Sequence, residues 1–282
     1  MDLIWLNGYD GSFQCCHPDM TFWQNKFWLI ATPYPYGMEE YENPCLFSGE
    51  KISELFPIMN KPIAFPFMKG YGNHLSDPCL LAVDDKLFCF YRDTVNRNGE
   101  IENRIFYKTY DTEKKWSDAQ LVVSSKEDGI LSPAIIAEKD GYFMYFVSFK
   151  DKKLKFHRGT LNNKFELISD DECPCRNCPE DMDFWHIGIT KEEDGYKGLF
   201  LFRGKSNPGN FQLYKAVYDE TAKIWEVTAK IDLPSKLLGI IDIPYKSCFI
   251  PGKNGILLSF RDVNSRYGMM VMKIEDKKQE EL

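Results

Sequence analysis

A repeat constrains this chain more than any other feature. Five segments share a polar or proline-containing start, an apolar run, a tight turn and a second, aromatic-rich run. Pro18, Pro78, Pro133, His186 and Ser247 mark the starts, at spacings of 60, 55, 53 and 61 residues. The clearest copy runs Ser76-Asp77-Pro78-Cys79-Leu80-Leu81-Ala82-Val83, turns at Asp84-Asp85, and returns through Lys86-Leu87-Phe88-Cys89-Phe90-Tyr91-Arg92-Asp93. Another turns at Lys139-Asp140-Gly141, and the last at Lys253-Asn254-Gly255. Asp-Gly and Asn-Gly supply the positive φ that tight hairpins require. The runs are short and rich in aromatic and β-branched residues, so they predict strands.

Units of this length with several hairpins suit the four-stranded blades of a β-propeller, because solenoid repeats are usually shorter. The expectation is an all-β, five-bladed β-propeller with four-stranded antiparallel blades, forming a single domain over residues 1–282. The blades fall at roughly 14–60, 72–124, 128–170, 182–230 and 243–275. Phe106–Trp116 echoes Leu213–Trp225 as a strand, a Tyr-Asp turn and a Trp, which predicts turns on the outer hairpins. Lys51–Phe56 suits a short helical turn, and the charged tail from Glu275 to Leu282 is expected to fray.

Composition removes several functions. The formal charge of −7 disfavours a protein that neutralises nucleic-acid phosphates. No run approaches the roughly 18–20 apolar residues that insert into a membrane. The first residues lack the basic and apolar regions of a signal peptide, which predicts synthesis in the cytoplasm and reduced thiols for the nine Cys. The Cys173-Pro174-Cys175-Arg176-Asn177-Cys178 cluster offers three thiols, one short of a closed zinc site unless Cys15 or Cys16 joins it. Free thiols are the expectation there. Aromatics make up 15% of the chain, and most of these rings should pack between blades.

The chemistry should sit where the innermost strands begin, at one mouth of the central channel. Asp19, Asp77, Ser132, His186 and Ser247 align there as polar strand starts, and His17 shares a strand face with Asp19. Aromatic platforms and planar polar groups for a sugar could come from Tyr34, Tyr36, Glu42, Asn43, His74, Tyr91, Arg92 and Trp185. The prolines flanking Tyr34 place it in a loop. Arg92-Asp93 recurs as Arg261-Asp262, which suggests a structural blade element.

His17-Pro18-Asp19, Ala31-Thr32-Pro33-Tyr34-Pro35-Tyr36, Ser76-Asp77-Pro78, Phe90-Tyr91-Arg92-Asp93, Leu131-Ser132-Pro133 and Trp185-His186-Ile187 together resemble a known group. It comprises the five-bladed propeller modules of tail-associated proteins of bacteriophages that infect Gram-positive bacteria. Those modules are in turn similar to glycoside hydrolase families 43 and 32. The resemblance implies a glycan or oligosaccharide partner, with virion tail proteins as further partners and the virion as a location. It implies inverting hydrolysis with Asp19 as base and Asp183 or Glu180 as acid. His17, Asp77, Arg92, Ser132, Trp185, His186, Tyr34 and Glu42 would bind or position the substrate. The third-blade position that reads Asp-Pro in family 43 reads Ser132-Pro133 here. A receptor-binding tail protein that holds a glycan without cleaving it is the alternative. No organic cofactor is implied, and a structural cation on the propeller axis, oriented by His186, is the one further group that relatives suggest.

Overall fold

The computed structural model describes residues 2–67, 72–150, 153–233 and 240–274. The frayed tail expected from Glu275 onward lies outside them. Five sheets follow one another along the chain. Blade I contains β2 (Cys15–Trp23), β3 (Lys26–Pro33), β4 (Cys45–Gly49) and β5 (Phe56–Pro57). Blade II contains β6 (His74–Val83), β7 (Lys86–Arg97), β8 (Glu100–Asp111) and β9 (Gln120–Ser125). Blade III contains β10 (Gly129–Glu138), β11 (Gly141–Lys150), β12 (Lys153–Leu161) and β13 (Leu167–Glu172). In blade IV, β15 (Met182–Glu192), β16 (Gly195–Gly204), β17 (Phe211–Asp219) and β18 (Ile224–Lys230) gain a fifth, parallel edge strand, β14 (Cys175–Arg176).

Blade V departs from the expected bounds. Its innermost strand is split into β19 (Ile241–Pro244) and β20 (Cys248–Phe249), both paired to β21 (Gly255–Asp262). Beyond β22 (Tyr267–Lys273), the outermost strand is β1 (Asp2–Ile4), from the other end of the chain. A ring of sheets has no natural closure when its first and last blades are joined only by packing. Here β1 adds backbone hydrogen bonds across that joint. Three residues carry too little pattern to be read as a strand.

The innermost strands β2, β6, β10, β15 and β20 each touch the next, and β20 touches β2, so the ring is closed. The apolar core is correspondingly divided into five clusters, one between each pair of neighbouring blades. Trp23, Trp28 and Tyr110 fill the gap between blades I and II. Phe90, Met144 and Phe165 fill the next, and Tyr145, Phe156, Phe200 and Trp225 the third. Leu199, Leu258 and Met270 join blades IV and V, and Leu29, Phe47, Leu257 and Met269 join V to I. Blade packing therefore accounts for most of the aromatic content, including Tyr91, a recognition candidate that is buried in the I–II cluster. Burial of one such ring stabilises by about 1.5–3 kcal/mol.

The two Tyr-Asp turns lie between third and fourth strands. Asp111 Oδ1 accepts the Lys115 N–H at 2.9 Å, and Asp219 Oδ1 accepts the N–H groups of Thr221 and Ala222. Lys51–Phe56 contains a single 3-10 turn, Ile52–Glu54. All nine Cys are free thiols, and no helix among the described residues is long and apolar enough to cross a membrane.

Blade IV lies close against blade V at Gly188, where a Cβ would collide with the Ser247 carbonyl oxygen. Gly188→Ala should therefore cost about 1–3 kcal/mol through a forced shift of β15 against blade V. Urea denaturation of the two proteins measures it, and an unchanged midpoint would contradict the tight joint.

Candidate functional site

The mouth of the channel is built by a repeated break in the innermost hairpins. Between β2 and β3 the register slips between Cys16 and Asp19, between β6 and β7 from Ser76 to Cys79, and between β10 and β11 from Leu131 to Ala134. Each bulge holds a residue followed by proline, and that residue has a positive φ: His17 (51°), Asp77 (48°) and Ser132 (52°). Left-handed backbone is strained for non-glycine residues, and a following proline discourages it further. Proline also removes the N–H that a regular ladder would need. Such bulges re-aim side chains beside functional sites. In blade IV the register slips around Trp185 instead, and in blade V the strand breaks over Tyr245, Lys246 and Ser247.

This geometry revises the alignment of strand starts. The residue equivalent to Asp77 and Ser132 is His17, while Asp19 stands one place beyond the proline, level with Cys79 and Ala134. Asp19 turns into a narrow cavity of about 230 Å³ with Leu80, Ile135, Ile189 and Cys248 in its walls. Its Oδ2 accepts the Leu80 N–H at 2.7 Å. Burial pushes its carboxyl up to about 6, against the opposing pull of Lys246 and two backbone N–H groups.

At the mouth itself, one buried carboxylate organises the rest. Asp77 Oδ1 lies 3.2 Å from His186 Nδ1 and 3.8 Å from His17 Nε2. Its Oδ2 forms an ion pair with Arg92, 3.1 Å from Nε. Burial opposes ionisation of Asp77, but Arg92, His186 and His17 together hold its carboxyl well below the usual range. Burial also lowers His186, to about 4, although Asp77 pulls the other way, so the ring is neutral at pH 7. Arg92 is steadied by donating to Ser76 Oγ at 2.7 and 3.1 Å.

A second acidic group stands behind His17. Glu42, buried after the 3-10 turn Glu39–Tyr41, places Oε1 3.1 Å from His17 Nδ1 and Oε2 3.6 Å from His74 Nε2. His17 Nδ1 is also 3.2 Å from Thr32 Oγ1. With Nδ1 facing Glu42, His17 Nε2 is left to face Asp77. Burial lowers His74, with Glu42 opposing the shift. Tyr34 and Tyr245 flank the cluster, their rings 6.2 and 5.0 Å from His17, and burial keeps both phenols protonated.

Several polar atoms here are buried without a hydrogen-bond partner: His17 Nε2, both Asp77 oxygens, both His186 nitrogens and His74 Nδ1. Buried polar groups are normally satisfied. His17, Asp77 and His186 also offer ligand atoms that all lie within 4.8 Å of one another. Two imidazoles and a carboxylate form a donor set suited to a divalent cation, and a neutral His186 beside an ionised Asp77 is the protonation state that binding needs. The residues thus fit a metal ion. Cys16, His17 and Glu42 form a second such group, but burial raises the Cys16 thiol and keeps it from acting as a thiolate.

The remaining candidates fall outside this cluster. Ser132 is buried, and its Oγ both donates to the Ile187 carbonyl and accepts the Ile187 N–H at 3.0 Å. It is therefore a staple between blades III and IV. Ser247 likewise donates to the Tyr245 carbonyl and accepts the Ser259 N–H. Glu180 is exposed, and Asp183 lies on the rim 3.8 Å from Lys205 Nζ. Trp185 borders the cluster, its ring 5.7 Å from His186. Tyr36 is exposed beside the mouth, while Asn43 is buried and donates to Tyr9 Oη at 2.8 Å. The Cys175 and Cys178 thiols sit on the outer edge of blade IV, well away from Cys15 and Cys16 on β2. Sequence reasoning missed Tyr245 and Lys246. Their signal was position alone, since Tyr245-Lys246-Ser247 occupies the strand start of blade V.

No protein-family model matches the chain, and no curated protein matches it in sequence. Solved structures match its fold. An N-acetylgalactosamine deacetylase from F. plautii, determined with blood group B trisaccharide, superposes with a TM-score of 0.70 at 16% identity, over 88% of this chain and 80% of that one. A family 43 endo-arabinanase from Bacillus licheniformis gives 0.63 at 13% identity, over 94% and 96%. A xylan β-1,4-xylosidase from Bacillus halodurans gives 0.71 at 11% identity, over 96% of this chain and 54% of its own. The fold is a five-bladed propeller similar to those of family 43 glycoside hydrolases, and these neighbours are carbohydrate-active proteins.

Loss of the Ser132 hydroxyl should leave two backbone groups of Ile187 unpaired. Ser132→Ala is expected to lower stability by about 1–3 kcal/mol in urea denaturation. An unchanged denaturation midpoint would contradict the staple.

Proposed function

We propose that the chain is a carbohydrate-active hydrolase that removes an acyl group from a sugar, with a divalent cation held by His17, Asp77 and His186. The single observation that carries this reading is the convergence of three buried, unpartnered ligand atoms at the channel mouth. Likeness to a deacetylase that acts on an amino sugar supports the same chemistry. Inverting glycosidases instead place two carboxyl groups about 6.5–9.5 Å apart around the bond they cleave. Here, among the described residues, no second carboxylate lines the cavity that Asp19 faces, and Glu180 and Asp183 stand on the rim beside Lys205.

When bound, the cation would polarise an acyl carbonyl and acidify water. The chain's residues supply the rest. Arg92 fixes one Asp77 oxygen and so aims the other between the imidazoles. Glu42 orients His17 by placing its carboxylate 3.1 Å from Nδ1, which leaves Nε2 toward the cluster. His74, lowered by burial and without a hydrogen bond at Nδ1, is the group placed to take a proton, and Glu42 and Glu39 stabilise the charge it acquires. That proton passes to the sugar nitrogen or oxygen as the acyl bond breaks. The protonated phenols of Tyr34 and Tyr245 are available as donors. Glycans of a host surface would be suitable substrates, and the mechanism is the same whether the chain serves in a virion tail or elsewhere.

Metal analysis and product analysis test this together. The purified protein should bind about one divalent ion per chain, and His186→Ala should weaken that binding at least about 10-fold. Acetylated sugars should release acetate without new reducing ends. His74→Ala should keep the ion and slow release by about 10²- to 10⁴-fold. Reducing ends without acetate, or an ion indifferent to His186→Ala, would overturn the proposal.

A further inference from the structure

Three blades carry an arginine on their second strand, near the mouth. Arg92 pairs across the ladder with Ser76, Arg203 with Asp183 and Arg261 with Ile243. Two of these guanidinium groups are answered by carboxylates, Arg92 by Asp77 and Arg261 by Asp242. Arg203 is different. Among the described residues it has neither a carboxylate nor a hydrogen-bond acceptor, and Asp183 across the ladder faces Lys205 instead. Arg203 is half-buried, with its guanidinium stacked 4.4 Å above the centre of the Trp185 ring.

Stacking uses the face of a guanidinium and leaves its N–H edge free for a planar oxyanion. Beneath it, the Trp185 indole N–H is buried with no acceptor. These two unfilled donors stand next to the proposed reaction centre. The Trp185 ring lies 5.7 Å from His186 and 6.4 Å from Phe211, and Phe211 leads on to Tyr245, which packs on both His17 and His186. The wall from cation site to arginine is continuous and largely aromatic, the surface that the C–H face of a sugar ring would cover.

We infer that Arg203, stacked on Trp185, forms a subsite for a carboxylate-bearing sugar, so that the glycan recognised at this mouth is acidic. The inference deepens the functional reading by naming the substrate class, and it rests on that reading only for the neighbouring chemistry. Arg203 is a specificity residue here and takes no part in bond cleavage. A carboxylate held by both edge N–H groups would supply the counter-charge that Arg92 and Arg261 receive from Asp77 and Asp242.

The test is binding to an array that presents each uronate-bearing oligosaccharide beside its methyl ester, with protein kept in EDTA so that no step depends on the cation. Wild type should prefer the free acid by about 10- to 100-fold, the range expected for a charge-assisted contact. Arg203→Gln should abolish that preference while leaving affinity for the esters within about 2-fold. Arg203→Lys, which keeps the charge and loses the planar edge, should retain part of it. Thermal unfolding of each variant separates lost binding from lost fold. Equal binding of acid and ester by wild type, or a preference that survives Arg203→Gln, would overturn the inference. So would an equal loss of both ligands in a folded Arg203→Gln. Failure of the cation proposal would show separately, as metal binding indifferent to His186→Ala, and would leave this result intact.

Discussion

Everything at the channel mouth depends on one local departure from strand geometry. A regular strand sends alternate side chains to opposite faces. The residues that open the inner strands must instead turn toward the axis while the strands keep their apolar faces between blades. Proline after His17, Asp77 and Ser132 removes a ladder N–H, and the positive φ of the preceding residue reorients its side chain. Strain of this kind persists only where the surroundings over-determine it. Here the surroundings are two packed blades on either side and, at Asp77, three cationic or imidazole partners.

The same device yields different results because the blades differ in what they place at the bulge. Ser132 hydrogen-bonds to the neighbouring blade and is a joint. Asp77 is a buried charge, which is stable only when paired. Arg92 provides the formal counter-charge, and the two imidazoles crowd the oxygen that Arg92 leaves free. His17 could not serve this role without Glu42, which occupies its other nitrogen. The site is therefore a chain of dependencies running from Arg92 through Asp77 and His17 to Glu42 and His74. Each member fixes the orientation of the next.

Much of this was legible from residue spacing. The five strand starts, the hairpin turns and the Tyr-Asp turns carry strong local signals, because glycine, proline and the aromatic runs act within a few residues. His17, Asp77, His186 and Glu42 stood out as polar residues beside apolar runs. Register was the weak point. Asp19 and His17 are two apart, so a regular strand would give them one face. The bulge at Pro18 separates them, and it sends Asp19 into the channel beside Lys246. The closing strand β1 was invisible for a different reason: three residues have no period, and their partner lies at the far end of the chain. His74 and Tyr245 reach the cluster only through tertiary folding.

A repeat architecture also makes unanswered groups conspicuous. Arg92, Arg203 and Arg261 each stand near the mouth on a second strand, and among the described residues only Arg203 has no carboxylate partner. An arginine left without a counter-charge in a half-buried wall loses part of its hydration and receives only the face of an indole in return. An exposed arginine would need no explanation, because water answers it. Arg203 is neither fully solvated nor paired, and it adjoins a cluster of buried polar atoms that also lack partners. Both deficits occur on the same side of the ring and meet at Trp185 and His186. An anionic glycan lying across both, as proposed, would meet the Arg203 guanidinium at the edge of the mouth and the His17, Asp77 and His186 ligand atoms at its centre.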